Sequence, residues 1–392
     1  MSSNNVSNST SSVDVERIGK TVGLIVIVLL SIVGHIIYVV TLSRTPRIRV
    51  RIGPWYFFTN IAGSNVVAVI FSLIPNIIAT WSGSWTLSTE FCIASAFITQ
   101  FTFYQIWHTV GIIFVERYVR IMMPLKHKEI FRVIPTLILL SALWFFDAIL
   151  SMLPLINWGE YGYLTTEGQC AHSVDGYQKN VSHLYFTFVL GIILPLALSI
   201  PLFARTVKGA LKSLKDDEDI FKEEVAVPVS YGYQLKRREK TLARTIKNPT
   251  LTEERDAKRK KRAYRYRPNE MALVKTAALI LLAFSICWIP YLVVKFFETY
   301  NIAIPSIVVV VVAFLSYCSH AVCPYIYIIS SRSFRRYIHK AFCSVYLAAS
   351  KKKKKSRERT QNDLQESDNI HDNEAYLGDE DSGVEAVSET MY

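Results

Sequence analysis

The sequence predicts an all-α membrane protein, a bundle of seven transmembrane helices with its N-terminus outside the cell. Three observations predict it. Seven apolar blocks, roughly 20–43, 54–80, 91–122, 133–156, 181–207, 271–299 and 304–329, are each about 20 or more residues long and nearly free of charge at their centres. The 392-residue chain is 51% hydrophobic with a mean hydropathy of +0.24, more apolar than soluble proteins of this size. The basic residues fall in alternate loops, the signature of a fixed orientation in the membrane. A spanning backbone must satisfy its own hydrogen bonds, so the blocks are helices. Seven of them in one chain exclude the alternative of core helices in a soluble domain.

Residues 1–19 form a polar extracellular tail with acceptor sequons at Asn5 and Asn8, and a third sequon, Asn180, precedes the fifth block. The first block is long enough to span and reads as a signal anchor rather than a cleaved signal peptide. Arg44, Arg47, Arg49 and Arg51 follow it, and Arg117, Arg120, Lys126, Lys128 and Arg132 join the third block to the fourth. The long segment 208–270 is rich in Lys and Arg, and Lys351–Lys355 follow the last block. The opposite loops carry Glu90, Glu160, Glu167 and Asp175. The net charge of +12 therefore marks cytoplasmic loops, not a nucleic-acid partner. Segment 208–270 has little apolar content and reads as a loop within the seven-helix domain 20–343; residues 344–392 read as a disordered cytoplasmic tail. No phosphate loop, paired-Cys metal spacing or nucleophile elbow is present. The chain is read as no enzyme, with no cofactor and no metal.

The third block carries the densest signal. It runs from Cys92 without charge to Glu116-Arg117-Tyr118. Cys92 and Arg117 are 25 residues apart, about 37 Å along a helix, which is one bilayer core with its interfaces. Ionisable residues at such a place are at the membrane edge or functional. Further marks stand elsewhere: Trp85 seven residues before Cys92, Trp144 in the fourth block and Pro195 in the fifth. Phe284-x-x-Cys287-Trp288-Ile289-Pro290 lies in the sixth, and Pro324-Tyr325-Ile326-Tyr327 in the seventh. In order and spacing this set resembles the rhodopsin-like (class A) G-protein-coupled receptors, over every helix.

The resemblance implies a disulfide between Cys92 and Cys170, the two cysteines on the extracellular side. It implies that Glu116, Arg117, Tyr118 and Tyr327 form the cytoplasmic switch, that Glu270 pairs with Arg117 in the inactive state, and that Leu125, after Pro124, meets a G protein. A solvated Glu270 and an ordinary interfacial Leu125 are the plain alternatives. Phe284, Trp288, Pro290 and Pro324 are the activation hinge, because a proline removes an N–H and bends the helix. Ser333-Phe334-Arg335-Arg336 and Phe342 read as a short amphipathic eighth helix, with Cys343 placed for lipidation. Cys287, Cys318 and Cys323 read as small packing residues. The implied partners are a heterotrimeric G protein, arrestin and receptor kinases at the tail, membrane lipids and an extracellular ligand. The implied location is the plasma membrane, multi-pass.

Four positions depart from the family pattern. His35, Asn65 and Cys323 replace an Asn, an Asp and an Asn of its polar cluster, and Ile106 replaces a Ser. A sodium ion wants oxygen ligands and at least one anion. The expectation is no sodium site, with a His35–Asn65 hydrogen bond in its place. Thr99 stands where amine receptors carry Asp, which argues against an amine ligand, and Tyr317 stands where opsins carry Lys. The remaining ligand-site candidates are Thr99, Gln100, Phe103, Tyr104, Thr187, Trp288, Tyr291, Lys295 and Tyr317. Lys295 either meets a ligand carboxylate or snorkels to the surface. This mostly aromatic set suits a neuropeptide, with a small molecule or lipid as the alternative. A transporter would show inverted repeats and interrupted helices, which are absent from the sequence pattern. A non-coupling seven-helix protein is the other rival, set against the intact Glu116-Arg117-Tyr118.

Overall fold

A computed structural model describes residues 3–44, 54–173, 177–225 and 268–330, plus a few positions between 335 and 343. Its side chains are described over 15–43, 55–173, 180–212 and most of 271–330. The calls that rest on the side chains of Asn5, Asn8 and Glu270, on the loop beyond 225 and on the tail lie outside the described residues.

Helix α1 is Ser3–Arg44. Helix α2 runs Pro54–Ala68, widens into a π-turn Val69–Leu73 and continues as Ile74–Ser82. Helix α3 is Thr89–Met122, and a short helix Pro124–Ile130 follows it. Helix α4 is Val133–Met152. Helix α5 runs Tyr177–Phe188, through a second π-turn Val189–Ile193, and on as Leu194–Val225. Helices α6 and α7 are Pro268–Thr299 and Ser306–Ser330. Each π-turn stands just before a proline, Pro75 or Pro195, where the lost N–H already disturbs the ladder.

Six of these helices are long and apolar enough to cross a membrane by length and composition. The seventh spanning helix, α3, is not among them, and its position explains why. It packs against α2, α4, α5 and α6, so its faces meet protein instead of lipid. Eighteen of its 34 residues are buried, including Thr102, Gln105, Thr109, Glu116 and Arg117. A helix inside the bundle can carry polar groups that a lipid-facing helix cannot. Helix α4 shows the converse: Ile134, Ile138 and Phe145 are exposed as a lipid-facing stripe.

Between α4 and α5, β1 (Tyr161–Leu164) and β2 (Gln169–His172) form an antiparallel hairpin, with Tyr163 opposite Cys170. Its turn needs Gly168, whose φ is +69° and whose Cβ position would fall 2.5 Å from Thr80 Oγ1. Cys92 and Cys170 are disulfide-bonded, so the hairpin is pinned over the end of α3. Trp85 stacks on Phe91 and packs beside this bridge, and its indole N–H donates to the Ser88 carbonyl. The bond closes a 78-residue separation, for which the chain-entropy treatment gives about 4.5 kcal/mol. Cys170→Ser is expected to deplete the protein from the cell surface, checked by surface labelling; wild-type surface levels would refute this.

On the far side, Gly34 lets α1 approach α7: a Cβ there would sit 2.5 Å from Pro324 Cγ. The Tyr325 hydroxyl donates to the Leu30 carbonyl across the same seam, at 2.9 Å.

Candidate functional site

The extracellular half holds a cavity of about 50 Å³, walled by α3, α5, α6 and α7 and roofed by the hairpin. Phe103 and Trp288 meet in it with ring centroids 4.7 Å apart, and Trp288 stands edge-on to Tyr291. Trp288 Nε1–H donates to Ser319 Oγ at 3.1 Å, which ties α6 to α7. The Gln100 amide donates to Thr187 Oγ1, joining α3 to α5. Thr99 turns toward α2, where it donates to Ser72 Oγ at 2.8 Å. Tyr104 is placed differently from expectation. It lies behind the wall, fully buried, and its hydroxyl donates to Thr187 Oγ1.

The roof contributes what the sequence reading missed. Glu167, three residues before Cys170, is only 3% exposed and points into the bundle. Its Oε2 accepts from the Tyr291 hydroxyl at 3.0 Å and from the Gln169 amide. Its Oε1 forms an ion pair with Lys295. Lys295 also pairs with Glu298 at 2.8 Å. Lys295 is 5% exposed, so it turns inward and does not snorkel. The available signal was position: a side chain three residues from a disulfide cysteine is held near α3. Asn180 is 1% exposed at the start of α5, so a glycan there requires that amide to turn outward.

At the cytoplasmic end, Glu116 and Arg117 are both buried, and the guanidinium takes both carboxylate oxygens through Nε and Nη2. His127 of the short helix Pro124–Ile130 reaches Glu116 Oε1 through Nε2 and stacks on Phe131. The carboxylate thus has two side-chain partners, one from α3 and one from the short helix that follows it. Tyr118 is half-buried, and Leu125 is 63% exposed. Tyr327 is buried, its ring between Tyr38 and Phe58 at 5.3 and 5.1 Å. Phe284 packs edge-on to Trp107, which in turn meets Phe103 of the cavity wall. Cys343 is exposed.

A family profile described as 7 transmembrane receptor (rhodopsin family) matches residues 33–327. The chain belongs to the rhodopsin family of seven-transmembrane receptors. The receptor is a multi-pass protein of the plasma membrane. It is similar to an alpha-1A adrenergic receptor of Oryzias latipes, 23% identical, over 81% of this chain and 65% of that one. It is also 23% identical to the octopamine receptor beta-2R of Chilo suppressalis, over 83% of this chain and 80% of that one. The octopamine receptor beta-1R of Drosophila melanogaster is 23% identical, with 60% of its length spanned. The receptor's chain thus spans under two thirds of some of these relatives. Squid rhodopsin shares the fold at TM-score 0.62 and 18% identity, covering 85% of this chain and 87% of that one.

The receptor's polar cluster is assembled otherwise than expected. Asn65 Oδ1 accepts from the His320 Nδ1–H of α7 at 2.9 Å, and its amide donates to the Ile61 carbonyl. His35 does not bond Asn65; it pairs with Ser31 on its own helix. His320 wins because α7 faces Asn65 across the bundle interior, whereas Ser31 lies one turn from His35 and satisfies it locally. Ile106 is buried and offers no oxygen. Agonist affinity is therefore expected to be equal in sodium and in a bulky organic cation at the same ionic strength, checked by radioligand competition. Asn65→Asp with Ile106→Ser is expected to gain sodium sensitivity only once His320 is also replaced by Ala, since the imidazole stands on the oxygen the ion needs.

Proposed function

We propose that this receptor converts the binding of a small molecule beneath the hairpin into activation of a heterotrimeric G protein. The observation that carries the reading is the aromatic cavity between Phe103, Trp288 and Tyr291 beneath the hairpin. A hairpin roof favours an occupant that fits under it over a bulky neuropeptide, so the small-molecule alternative takes precedence over the neuropeptide. The names of the similar proteins, octopamine, adrenergic and 5-hydroxytryptamine receptors, point the same way.

The mechanism is a shift between two populated states. A ligand packed on Trp288 and Tyr291 favours the arrangement in which α6 pivots at Pro290. Pro290 breaks the hydrogen-bond ladder there, so a small change at Trp288 becomes a larger displacement at the cytoplasmic end. Arg117 then leaves Glu116, or Glu270, and enters the G-protein contact with Leu125, while Tyr327 leaves its aromatic clamp to support it. The phosphorylatable tail 344–392 serves receptor kinases and arrestin. The test is a G-protein activation screen with matched libraries of small molecules and secreted peptides. Small-molecule hits whose potency falls in Trp288→Ala at equal surface expression are expected. Activation by peptides alone, insensitive to Trp288→Ala, refutes the reading.

A further inference from the structure

Asn65 fixes the tautomer of His320, and with it the chemistry of the cavity floor. Asn65 is fully buried, and His320 is 4% exposed. The Asn65 amide nitrogen lies 2.9 Å from the Ile61 carbonyl, a group that can only accept. A flipped amide would set two acceptors against each other, so Oδ1 is the atom that faces His320. Oδ1 also can only accept, and it stands 2.9 Å from His320 Nδ1. The ring proton is therefore on Nδ1. In a neutral imidazole that leaves Nε2 as a bare acceptor. No carboxylate pairs with the ring among the described residues, so nothing there offsets the burial of an imidazolium.

His320 lines the cavity about one helical turn below Ser316 and Tyr317. Its backbone is held from α1, where the Ser31 hydroxyl donates to its carbonyl at 3.1 Å. Nδ1 is spent on Asn65, so Nε2 is the polar atom the ring has left for the cavity. The donors around it are already taken. Trp288 Nε1–H donates to Ser319 Oγ, and the Ser316 hydroxyl donates to the Ala313 carbonyl at 2.7 Å. This end of the cavity therefore offers an occupant acceptors, inside a largely aromatic wall.

A buried acceptor without a donor is costly, so the floor selects for an occupant that brings one. A cationic donor would meet no carboxylate at this depth, which leaves a neutral one. We propose that the ligand of this cavity is an alcohol or phenol that points its hydroxyl at the floor, and that the hydroxyl donates to His320 Nε2. A ligand with only a carbonyl or ether oxygen at that end would set acceptor against acceptor. Asn65 is then a positioning residue: it touches no ligand, but it decides which proton His320 carries. The inference rests on reading the cavity as the small-molecule site.

The test uses the full-length receptor in detergent with three probes that share one ring: 4-ethylphenol, 4-ethylanisole and 4-ethylbenzaldehyde, a donor, its methylated form and an acceptor. Thermal melting over a concentration series reports binding without requiring agonism. In the wild type, 4-ethylphenol is expected to bind about tenfold tighter than the other two. His320→Gln, whose amide can give an N–H to Asn65 and turn its oxygen to the cavity, is expected to keep that preference. Asn65→Leu lets the ring proton move to Nε2 and is expected to bring the three probes within about twofold of one another. His320→Phe with Asn65→Leu removes donor and acceptor together, which limits the cost to the fold. It is expected to lose the tight binding of 4-ethylphenol and to leave the other two unchanged. Equal binding of the three probes to the wild type, or a phenol preference that survives in the double variant, overturns the proposal. The small-molecule reading still stands if that binding disappears in Phe103→Trp, which fills the cavity. Probes that leave the wild type unmoved, or that bind Phe103→Trp equally well, remove that reading and this inference with it. If the Asn65 variants do not fold, histidine nitrogen NMR of the wild type decides, with the His320 signals identified by their loss in His320→Gln. The proton is expected on Nδ1, and the Nε2 signal is expected to move with 4-ethylphenol and not with 4-ethylanisole. A proton on Nε2 overturns the proposal.

Discussion

Asp147→Ala is expected to cost the receptor about 3 kcal/mol or more of stability and to hold most of it back from the cell surface. Asp147 is fully buried on α4, although much of that helix faces lipid. Its Oδ1 lies 2.6 Å from His108 Nδ1 of α3. The other ring nitrogen, Nε2, donates to the Leu190 carbonyl of α5 at 3.1 Å. That carbonyl is available for a local reason. In the π-turn of α5, the Val189 carbonyl takes the N–H of Leu194. By the same spacing the Leu190 carbonyl would look to residue 195, which is proline and has no N–H. His108 fills the gap. One imidazole thus clasps three helices, and one proton is shared between Nδ1 and the carboxylate.

Removing Asp147 leaves His108 with an unanswered nitrogen in the bundle interior, and removing His108 strands both the carboxylate and the carbonyl. Asp147→Asn keeps the shape and a hydrogen bond and is expected to cost less than Asp147→Ala. His108→Leu with Asp147→Leu strands only the carbonyl and is expected to be more stable than His108→Leu alone. Melting curves in detergent together with surface labelling check the order. A double variant no better than its parent would show that the pair does not act as a unit.

Arg117→Ala is expected to reduce G-protein activation to background while ligand affinity stays measurable. Arg117 is about 1% exposed and lies far from the cavity, so its loss leaves the ligand contacts intact. In the closed arrangement its guanidinium is held by Glu116, which is itself held by His127. The lock is thus at least partly within α3 and its loop. His127→Ala leaves Glu116 held by Arg117 and tests the loop's share: a rise in basal signalling is expected if His127 steadies the closed state. Glu270→Ala is expected to raise basal signalling as well, by removing the α6 partner implied by the family pattern. Basal signalling from G-protein reporters, normalised to surface expression, separates them. Residual agonist-driven coupling in Arg117→Ala would remove the switch role from this residue.

Much of this receptor was legible in one dimension. Glu116-Arg117-Tyr118, Trp288, Pro290 and Tyr327 announce themselves because their work depends on local spacing along a helix. The aromatic wall of Phe103, Trp288 and Tyr291 was legible for the same reason, since two helices, α3 and α6, each present one face to the same depth. Tyr104 was placed one step too far forward, because a position on a buried helix does not say whether it faces a cavity or the neighbour behind it. The exclusion of an amine ligand rested on Thr99 alone. Glu167 was not legible at all, because a loop residue carries no periodic signal.

The sequence by itself determined the seven spans, their orientation and the positions of the bends. These follow from what a bilayer permits along a single segment: enough apolar length, charge on the cytoplasmic side, and a missing N–H at each proline. Only the tertiary structure decided the partners. His108 meets Asp147 39 residues away, Glu167 meets Lys295 from a loop, and His320 meets Asn65 255 residues away. The physical reason is that a helical period tells which side of a segment is buried, while the neighbour on that side is chosen by how the helices pack. In the interior of a membrane protein, that choice of neighbour settles which polar groups are satisfied and which remain for a ligand.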